Sequence, residues 1–255
     1  MEPTILTPES RFSGRVENYI RFRPGYPSGI AALLQRETGL SPASAVADIG
    51  SGTGISTAVL LDTGSTVFAV EPNRGMREAA ERLLAGRRGF VSIDGTAENT
   101  GLPAHTIDLV TAFQAFHWFK GPATRAEFDR ILKPGGRVAL IWNVRRPDST
   151  PFLRDYENLL LTYGTDYATI RHENVHGPEL LQFFKDGQCA QYSLPNHQIC
   201  GFEDLKGRLL SCSYIPQESH PAFPAMIREL EQLFARHRVD GRVTIEYGTL
   251  VYLGR

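Results

Sequence analysis

VADIGSGTG, running from Val46 to Gly54, is the stretch from which the rest of this 255-residue chain is read. Val46 to Ile49 read as the end of a short buried strand with no room for a helical stripe. Gly50, Gly52 and Gly54 then turn the chain, and Ile55 to Leu61 carry it into a helix. Such a turn lets the backbone come close to a nucleotide-like ligand. A dinucleotide-binding turn spaces its glycines GxGxxG. Here the third glycine comes one residue early, at Gly54, and Ile55 fills the slot that should be small. Two residues before Gly50 stands Asp48, poorly placed for a pyrophosphate and well placed for an ammonium group. S-adenosylmethionine has that ammonium and no phosphate.

Composition limits the function classes. The length suits one large α/β domain with a modest cap. Lysine plus arginine number 27 against 28 acids, a net charge of -1 that does not point to nucleic acid as a partner. Cys189, Cys200 and Cys212 form an odd set without a CxxC pair, which predicts reduced thiols and no metal site. The first thirty residues hold charges throughout and no apolar core of a signal peptide, and no apolar run is long enough to span a bilayer. A cytoplasmic protein without membrane association is expected.

Working outward from the glycine turn, the N-terminal side carries RFSGRVENYIRFRPGYP, Arg11 to Pro27, in which arginines alternate with aromatics. It reads either as a surface helix ending at Pro24 or as a lid closing over a ligand with an anionic end, with Tyr19, Arg23 and Tyr26 as the contacts. Residues 11–38 thus comprise this lid and a first amphipathic helix from Ile30 to Thr38, closed by Gly39. On the C-terminal side, Thr66 to Glu71 reads as a second buried strand. Its final acid, Glu71, suits ribose hydroxyls, or else caps the helix that starts near Asn73. Met76 lies in that helix's first turn, where it touches the ligand or packs.

Phe90 to Ile93, Ile107 to Phe113 and Arg137 to Trp142 read as further strands, separated by the helix Ala123 to Leu132 that stops at Lys133-Pro134-Gly135-Gly136. Strand and helix alternate five times, which predicts a parallel sheet with helices on both faces. Its ligand edge would gather the glycine turn, Glu71, the Asp94–Glu98 loop, Gln114–Phe119 and Trp142–Arg146. Beyond it the pattern turns irregular and helical over 145–187. Ala190 to Cys200 could be a strand, Glu203 to Leu210 and Pro221 to His237 read as helices, and Val243 to Leu253 as a final strand.

With these segments in order, the chain resembles the class I S-adenosylmethionine-dependent methyltransferases, and more narrowly the small-molecule branch that includes trans-aconitate methyltransferase. DIGSGTG (Asp48–Gly54), VEPN (Val70–Asn73), GTAENTGLP (Gly95–Pro103), QAFHWF (Gln114–Phe119) and LKPGGRVAL (Leu132–Leu140) carry the resemblance, with YIRFRPGYP and GTLVYLGR at the two ends. It implies one α/β domain over residues 1–255, a Rossmann-like, doubly wound, mostly parallel sheet of seven strands in the order 3-2-1-4-5-7-6 with the last antiparallel. A helical cap from 145–187 and 201–240 would cover the acceptor site.

The resemblance also assigns roles. Gly50, Ser51, Gly52 and Gly54 underlie the methionine and ribose of S-adenosylmethionine, and Asp48 approaches its ammonium. Glu71 holds the ribose, and Pro72, Asn73 and Met76 lie beside the adenosine. Thr96, Ala97 and Glu98 edge the adenine, although the commoner pattern has an acid where Thr96 stands, so Asp94 is a substitute. Gln114 and Ala115 complete the cofactor set. Tyr19, Arg23, Tyr26, Trp118, Trp142, Asn143, Arg145 and Tyr214 are the acceptor-side candidates.

Methyl transfer needs nucleophile and methyl group aligned in a dry pocket, with no covalent enzyme intermediate. A carboxylate acceptor is already ionised at neutral pH and needs no base. A hydroxyl, amine or carbon acid needs one, and His117 is the candidate; it is equally a strand-end wall of the pocket. A small carboxylic acid methylated on oxygen is the expected acceptor, with Arg145 and Arg146 as a pair for its carboxylate. Three rivals stand beside this reading. An NAD-dependent dehydrogenase is disfavoured by Gly54, Ile55 and Asp48. A nucleic-acid base methyltransferase would carry an Asn-Pro-Pro-Tyr type motif where this chain has QAFHW. A non-catalytic protein that binds S-adenosylmethionine fits the same motifs. The chain is expected to act as a monomer or homodimer.

Overall fold

The β-branched and small residues of Ala45–Ile49 (β1), Thr66–Val70 (β2) and Phe90–Ile93 (β3) form three parallel neighbours in a computed structural model of the chain, which describes residues 16–119, 121–165, 167 and 178–255. Between and before them lie the helices Val16–Phe22 (α1), Gly29–Thr38 (α2), Ile55–Leu61 (α3) and Arg74–Leu83 (α4). Asn73 starts α4 by accepting the Met76 amide at 3.0 Å, one of the orphan donors of a helix N-terminus. Ile107–Phe113 (β4) pairs parallel to β1, and Gly121–Ile131 (α5) leads to Leu132–Arg145 (β5), parallel to β4. Then come the helices Pro151–Tyr163 (α6) and Pro178–Phe183 (α7), the strand Cys189–Cys200 (β6), the helices Phe202–Leu210 (α8) and Phe223–His237 (α9), and the strand Val243–Gly254 (β7).

The sheet order is β3-β2-β1-β4-β5-β7-β6, with β7 antiparallel to both β5 and β6. The fold is therefore the expected Rossmann-like, doubly wound sheet. One boundary differs. Lys133-Pro134-Gly135-Gly136, read from sequence as a helix stop, forms the start of β5, where the pairing with β4 shifts register between Ile107 and Leu109. Gly135, at φ +84°, supplies the conformation this irregularity needs.

Side chains alternate across the sheet and build two cores. Ala47, Ile49, Val138, Leu140 and Trp142 face one way, onto Phe128, Phe183 and Phe184. Val46, Ala139 and Ile141 face the other way, onto Ile30, Leu33, Leu34 and Leu60. A third cluster joins α6, α8 and α9 through Phe152, Tyr156, Leu160, Leu205, Leu209, Met226 and Leu230, with Ile245 and Tyr247 of β7. Of the helices within 145–187 and 201–240, α6, α8 and α9 thus share one apolar cluster with β7, whereas α7 sends Leu180 and Phe183 into the core under the sheet. Among the described residues no helix is long and apolar enough to cross a membrane.

Candidate functional site

The reversal of strand order between β1 and β4 places a cleft at the carboxyl ends of those strands, where ligands of such sheets bind. One wall is the glycine turn, with Gly50, Ser51, Thr53, Ile55 and Ser56. Facing it are Phe113 and Gln114 at the end of β4 and Asn143 near the end of β5, with Arg23, Pro24 and Tyr26 from the N-terminal segment.

The glycines of the turn serve mostly packing. Gly50, at φ +69°, lies under Ala115, whose Cβ would sit 2.7 Å from any Cβ added to it. Gly54, at φ +87°, starts α3 against Leu84 and Ala80 of the neighbouring helix region, with only 2.8 Å available to the Leu84 side chain. Gly52 alone has ordinary room, 3.5 Å from the Met76 sulfur, so the turn is open at its middle. The Gly50 and Ser51 amides both donate to the Val70 carbonyl, at 2.9 and 3.2 Å, which fixes the turn to β2.

Asp48, expected near a ligand ammonium directly or through water, lies beneath the turn. Its carboxylate is fully buried and accepts hydrogen bonds from Ser56 Oγ and Thr57 Oγ1 at 2.7 Å each and from Thr111 Oγ1 at 3.1 Å. Burial pushes its pKa up, against these three hydroxyls. Asp48 staples β1 to the first turn of α3 and to β4.

Glu71 stands at the end of β2, nearly buried, and reaches back to the turn. Its Oε2 accepts the Gly52 amide at 2.9 Å and its Oε1 accepts the Asn73 amide at 2.8 Å. Burial raises its pKa, opposed by those two amides. A carboxylate offers about four acceptor positions, so two backbone bonds leave capacity for two ligand hydroxyls. Pro72 follows directly, and Arg77 crosses behind to bond the Glu71 carbonyl at 2.8 Å and the Asp94 carboxylate at 3.0 Å. Asp94 is thus engaged by Arg77. In the next loop Thr96 closes a tight turn with Asn99, Ala97 is buried, and the Glu98 carboxylate accepts from Thr124 Oγ1 at 3.1 Å.

Gln114 is the most constrained residue of the opposite wall. Its φ of +54° is unusual for a residue with a Cβ, a strain of about 1–3 kcal/mol that concentrates at functional sites. Its Nε2 donates to the Asn143 carbonyl at 3.1 Å, which fixes the amide orientation and leaves Oε1 buried without a partner among the described residues. Thr53 Oγ1, across the cleft, is likewise buried without a partner. Asn143 ties three segments together. Its Nδ2 donates to the Gly25 carbonyl at 3.1 Å, and its Oδ1 accepts from Thr249 at 2.6 Å and from Asn196 at 3.0 Å. Tyr26 packs edge-on against Phe113, with ring centroids 4.7 Å apart.

Several expected residues lie elsewhere. Trp142 is fully buried on the other face of the sheet, edge-on to Phe116 and Tyr252, because strand alternation sends it opposite to Asn143. His117 sits exposed on a short 3-10 turn, Phe116–Trp118, against the Trp118 ring, and neither residue lines the cleft. Arg145 and Arg146 do not form a pair. Arg146 is exposed, whereas Arg145 turns inward to Glu157 at 2.9 Å and to the Tyr167 hydroxyl. Tyr214 belongs to the same inward cluster, its ring 4.8 Å from that of Tyr167. The Tyr19 side chain and residues 11–15 of the expected lid lie outside the described residues.

Thr53, Ser56 and Phe113 were not singled out from sequence, although they flank the motifs that were. The residues around Arg145 were also missed: Tyr156, Glu157, Arg208, Cys212 and Tyr247 come from two helices, the turn after α8 and a strand, far apart in the chain. Among the described residues no group of three or more His, Cys, Asp or Glu side chains could hold a metal ion.

Comparison with known proteins agrees with this architecture. Residues 47–140, from β1 through β5, match the family described as a methyltransferase domain. An uncharacterized methyltransferase-like protein of Schizosaccharomyces pombe is 26% identical over 248 residues, 94% of this chain and 93% of its own. An uncharacterized methyltransferase of Mycobacterium tuberculosis is 39% identical over 137 residues, 52% of each chain. Among solved structures, a protein of Anaeromyxobacter dehalogenans provisionally assigned as a type II methyltransferase superposes with a TM-score of 0.67, at 20% identity over 92% of this chain and 98% of its own. Residues 47–140 thus resemble a methyltransferase domain, and the chain shares its Rossmann-like fold with the solved structure from Anaeromyxobacter dehalogenans.

Proposed function

We propose that this protein is an S-adenosylmethionine-dependent methyltransferase that acts on a small molecule, with a carboxylate oxygen as the acceptor. The observation that carries the cofactor assignment is the presence of two buried polar atoms, Thr53 Oγ1 and Gln114 Oε1, without a partner among the described residues, on residues that line one cleft beside the glycine turn. Buried polar groups are rarely left unpaired, so a polar ligand suits this cleft. Gln114 Oε1 is an acceptor and suits the ammonium; Glu71 suits the ribose hydroxyls; Thr96, Ala97 and Glu98 edge the adenine. When bound, S-adenosylmethionine supplies an electrophilic methyl group on a sulfonium.

On the acceptor side, Arg23, Pro24 and Tyr26 line the cleft as its roof in this reading, and Arg145 with Tyr214 places positive charge and phenolic donors in the cap. A desolvated site of this kind favours a reaction in which carboxylate and sulfonium lose their charges together. No general base is needed for such an acceptor, and the exposed position of His117 supports that reading over a base-dependent one. The carboxylate acceptor rests also on the resemblance of the sequence motifs to the branch that includes trans-aconitate methyltransferase. The test is to supply labelled S-adenosylmethionine with panels of acids, phenols and amines. Base-labile methyl esters from acids are expected; an ether or N-methyl product lost on His117→Ala would overturn the carboxylate reading. No product at all, with tight binding of the cofactor, would identify a non-catalytic binding protein.

A further inference from the structure

Next to the N-terminal segment that lines the cleft, α6, α8, the end of β5 and the first half of β7 bring together a group of polar side chains that the cofactor reading does not use. Arg208, on α8, is 6% exposed. Among the described residues its guanidinium has no carboxylate partner: its Nη1 donates to Cys212 Sγ at 2.9 Å and its Nε to the Tyr247 hydroxyl at 3.4 Å. Arg145 lies in the same cluster, between the rings of Tyr156 and Tyr167, with Nη2 on Glu157 and its buried Nε without a hydrogen-bond partner among the described residues. The hydroxyl of Tyr156, which is 1% exposed, is also without a partner among them.

We propose that Arg208, Tyr156 and Arg145 form an anion site within the cap, and that it takes a carboxylate. The assignment of that carboxylate to the methyl acceptor rests on the function proposed above. Three arguments lead to it. A buried guanidinium without a counter-charge costs several kcal/mol, so a position such as that of Arg208 calls for an anion. The unused groups are all donors, namely spare guanidinium N–H groups, Arg145 Nε and the Tyr156 hydroxyl; a donor set repels a cation and receives an acceptor. Charge selects an anion. Arg145, Arg208 and Arg23 contribute three positive charges around the cluster and Glu157 one negative, so a carboxylate is favoured there over a neutral isostere.

Without a ligand the group has an internal substitute. Burial opposes ionisation of Cys212, but Arg208, Arg23, the Tyr214 hydroxyl and Arg145 together outweigh it and hold the thiol at about 7. Tyr156, Tyr214 and Tyr247 are the other titratable groups around it, and burial drives the first two upward, so they stay protonated donors. A carboxylate against Arg208 takes over the role of the thiolate, and Cys212 then takes up a proton.

Calorimetric titration of the whole protein with propionate and benzoate, against propionamide as the neutral isostere, tests the site. Carboxylates are expected to bind at pH 8 with uptake of a proton, seen as a buffer-dependent heat, and the amide is not. Arg208→Gln is expected to weaken carboxylate binding about tenfold or more, as loss of a charge-assisted pair does. Because Arg208→Gln is buried and can impair folding, Tyr156→Phe serves as the second variant: removing an unpartnered hydroxyl leaves thermal stability unchanged or higher, while carboxylate affinity falls about threefold to tenfold. Equal binding of the amide, no binding of either acid, or unchanged affinity in Tyr156→Phe overturns the proposal. S-adenosylhomocysteine titrated into the same wild-type protein reads the cofactor assignment separately, so that failure of one is not mistaken for failure of the other.

Discussion

Arg23 Nη2 donates a 3.0 Å hydrogen bond to the carbonyl oxygen of Ser211, joining the roof of the cleft to the end of α8 in the cap. The roof is fixed at other points too. Gln198 Nε2 donates to the Phe22 carbonyl at 2.9 Å, and Asn143 and Asn196 both donate to the Gly25 carbonyl. The Phe22 ring packs where Gly207 has no side chain, so α8 and the N-terminal segment interlock. The cleft and the cap are therefore joined through one segment, Phe22 to Gly25, of which Arg23 and Pro24 line the cleft.

Loosening that wall should expose it to proteolysis. A hydrogen bond from a charged donor contributes about 1.5–3 kcal/mol, so Arg23→Ala is expected to raise chymotryptic cleavage at Phe22 and Tyr26 several-fold. Added S-adenosylhomocysteine should slow the cleavage in the wild type more than in the variant. Identical digestion of the two proteins would mean that the Ser211 contact does not hold the roof.

Glu71 holds the glycine turn, and under the proposed function it also holds the ribose; two substitutions separate these roles. Glu71→Ala leaves the Gly52 and Asn73 amides without their acceptor and removes the proposed ribose partner. Binding of S-adenosylhomocysteine is expected to weaken by about 1–3 kcal/mol, with some loss of thermal stability. Glu71→Gln keeps one acceptor oxygen and should fall between. Calorimetric affinity that is the same in all three proteins would remove Glu71 from the cofactor site.

The sheet was legible from sequence because its signals are local. β-Branched runs, the glycine turn and the position of Glu71 each lie within a few residues of the feature they report. What failed depended on direction or on distant partners. Trp142 and Asn143 are neighbours in sequence, yet strand alternation sends one into the core and the other into the cleft. The hydroxyls that hold the Asp48 carboxylate, from Ser56, Thr57 and Thr111, lie on the following helix and a different strand, beyond a local reading. Arg145 and Arg146 looked like a pair, but only Arg145 turns inward. Arg208 gave no local signal, since the groups that define it come from α6, β5 and β7.

The three glycines of the turn should respond differently to alanine. All have positive φ, which a side chain disfavours by about 1–2 kcal/mol. Gly50→Ala and Gly54→Ala add a clash to that strain, at 2.7 Å with Ala115 and at 2.8 Å with Leu84. Gly52→Ala meets only the Met76 sulfur at ordinary distance and places its methyl group at the open middle of the turn. Thermal melts are therefore expected to rank Gly52→Ala as the least destabilised, with the loss of S-adenosylhomocysteine affinity largest relative to its stability change. A uniform drop in melting temperature across the three would contradict this division of roles.

The loop that follows β3 is anchored by a carboxylate whose charge should be visible in acid. Glu127 accepts the Thr100 amide at 2.8 Å, the Thr100 hydroxyl at 2.6 Å, and Arg130 through Nε and Nη2 at 2.7 and 2.8 Å. The Arg130 guanidinium, aided by both Thr100 groups, outweighs burial and holds the Glu127 carboxyl down at about 2, below its ordinary value of 4.5. A carboxylate depressed in the folded state stabilises the protein fully above its unfolded value and loses that contribution as pH falls from 4.5 toward 2. With the guanidinium partly open to solvent, about 2 kcal/mol is at stake, or several degrees in melting temperature for a chain of this length. Glu127→Gln should therefore melt below the wild type at pH 7, and the gap should narrow steadily between pH 4.5 and the lowest pH at which the fold persists. A gap that stays constant over that range would show that packing of the side chain, rather than its charge, anchors the loop.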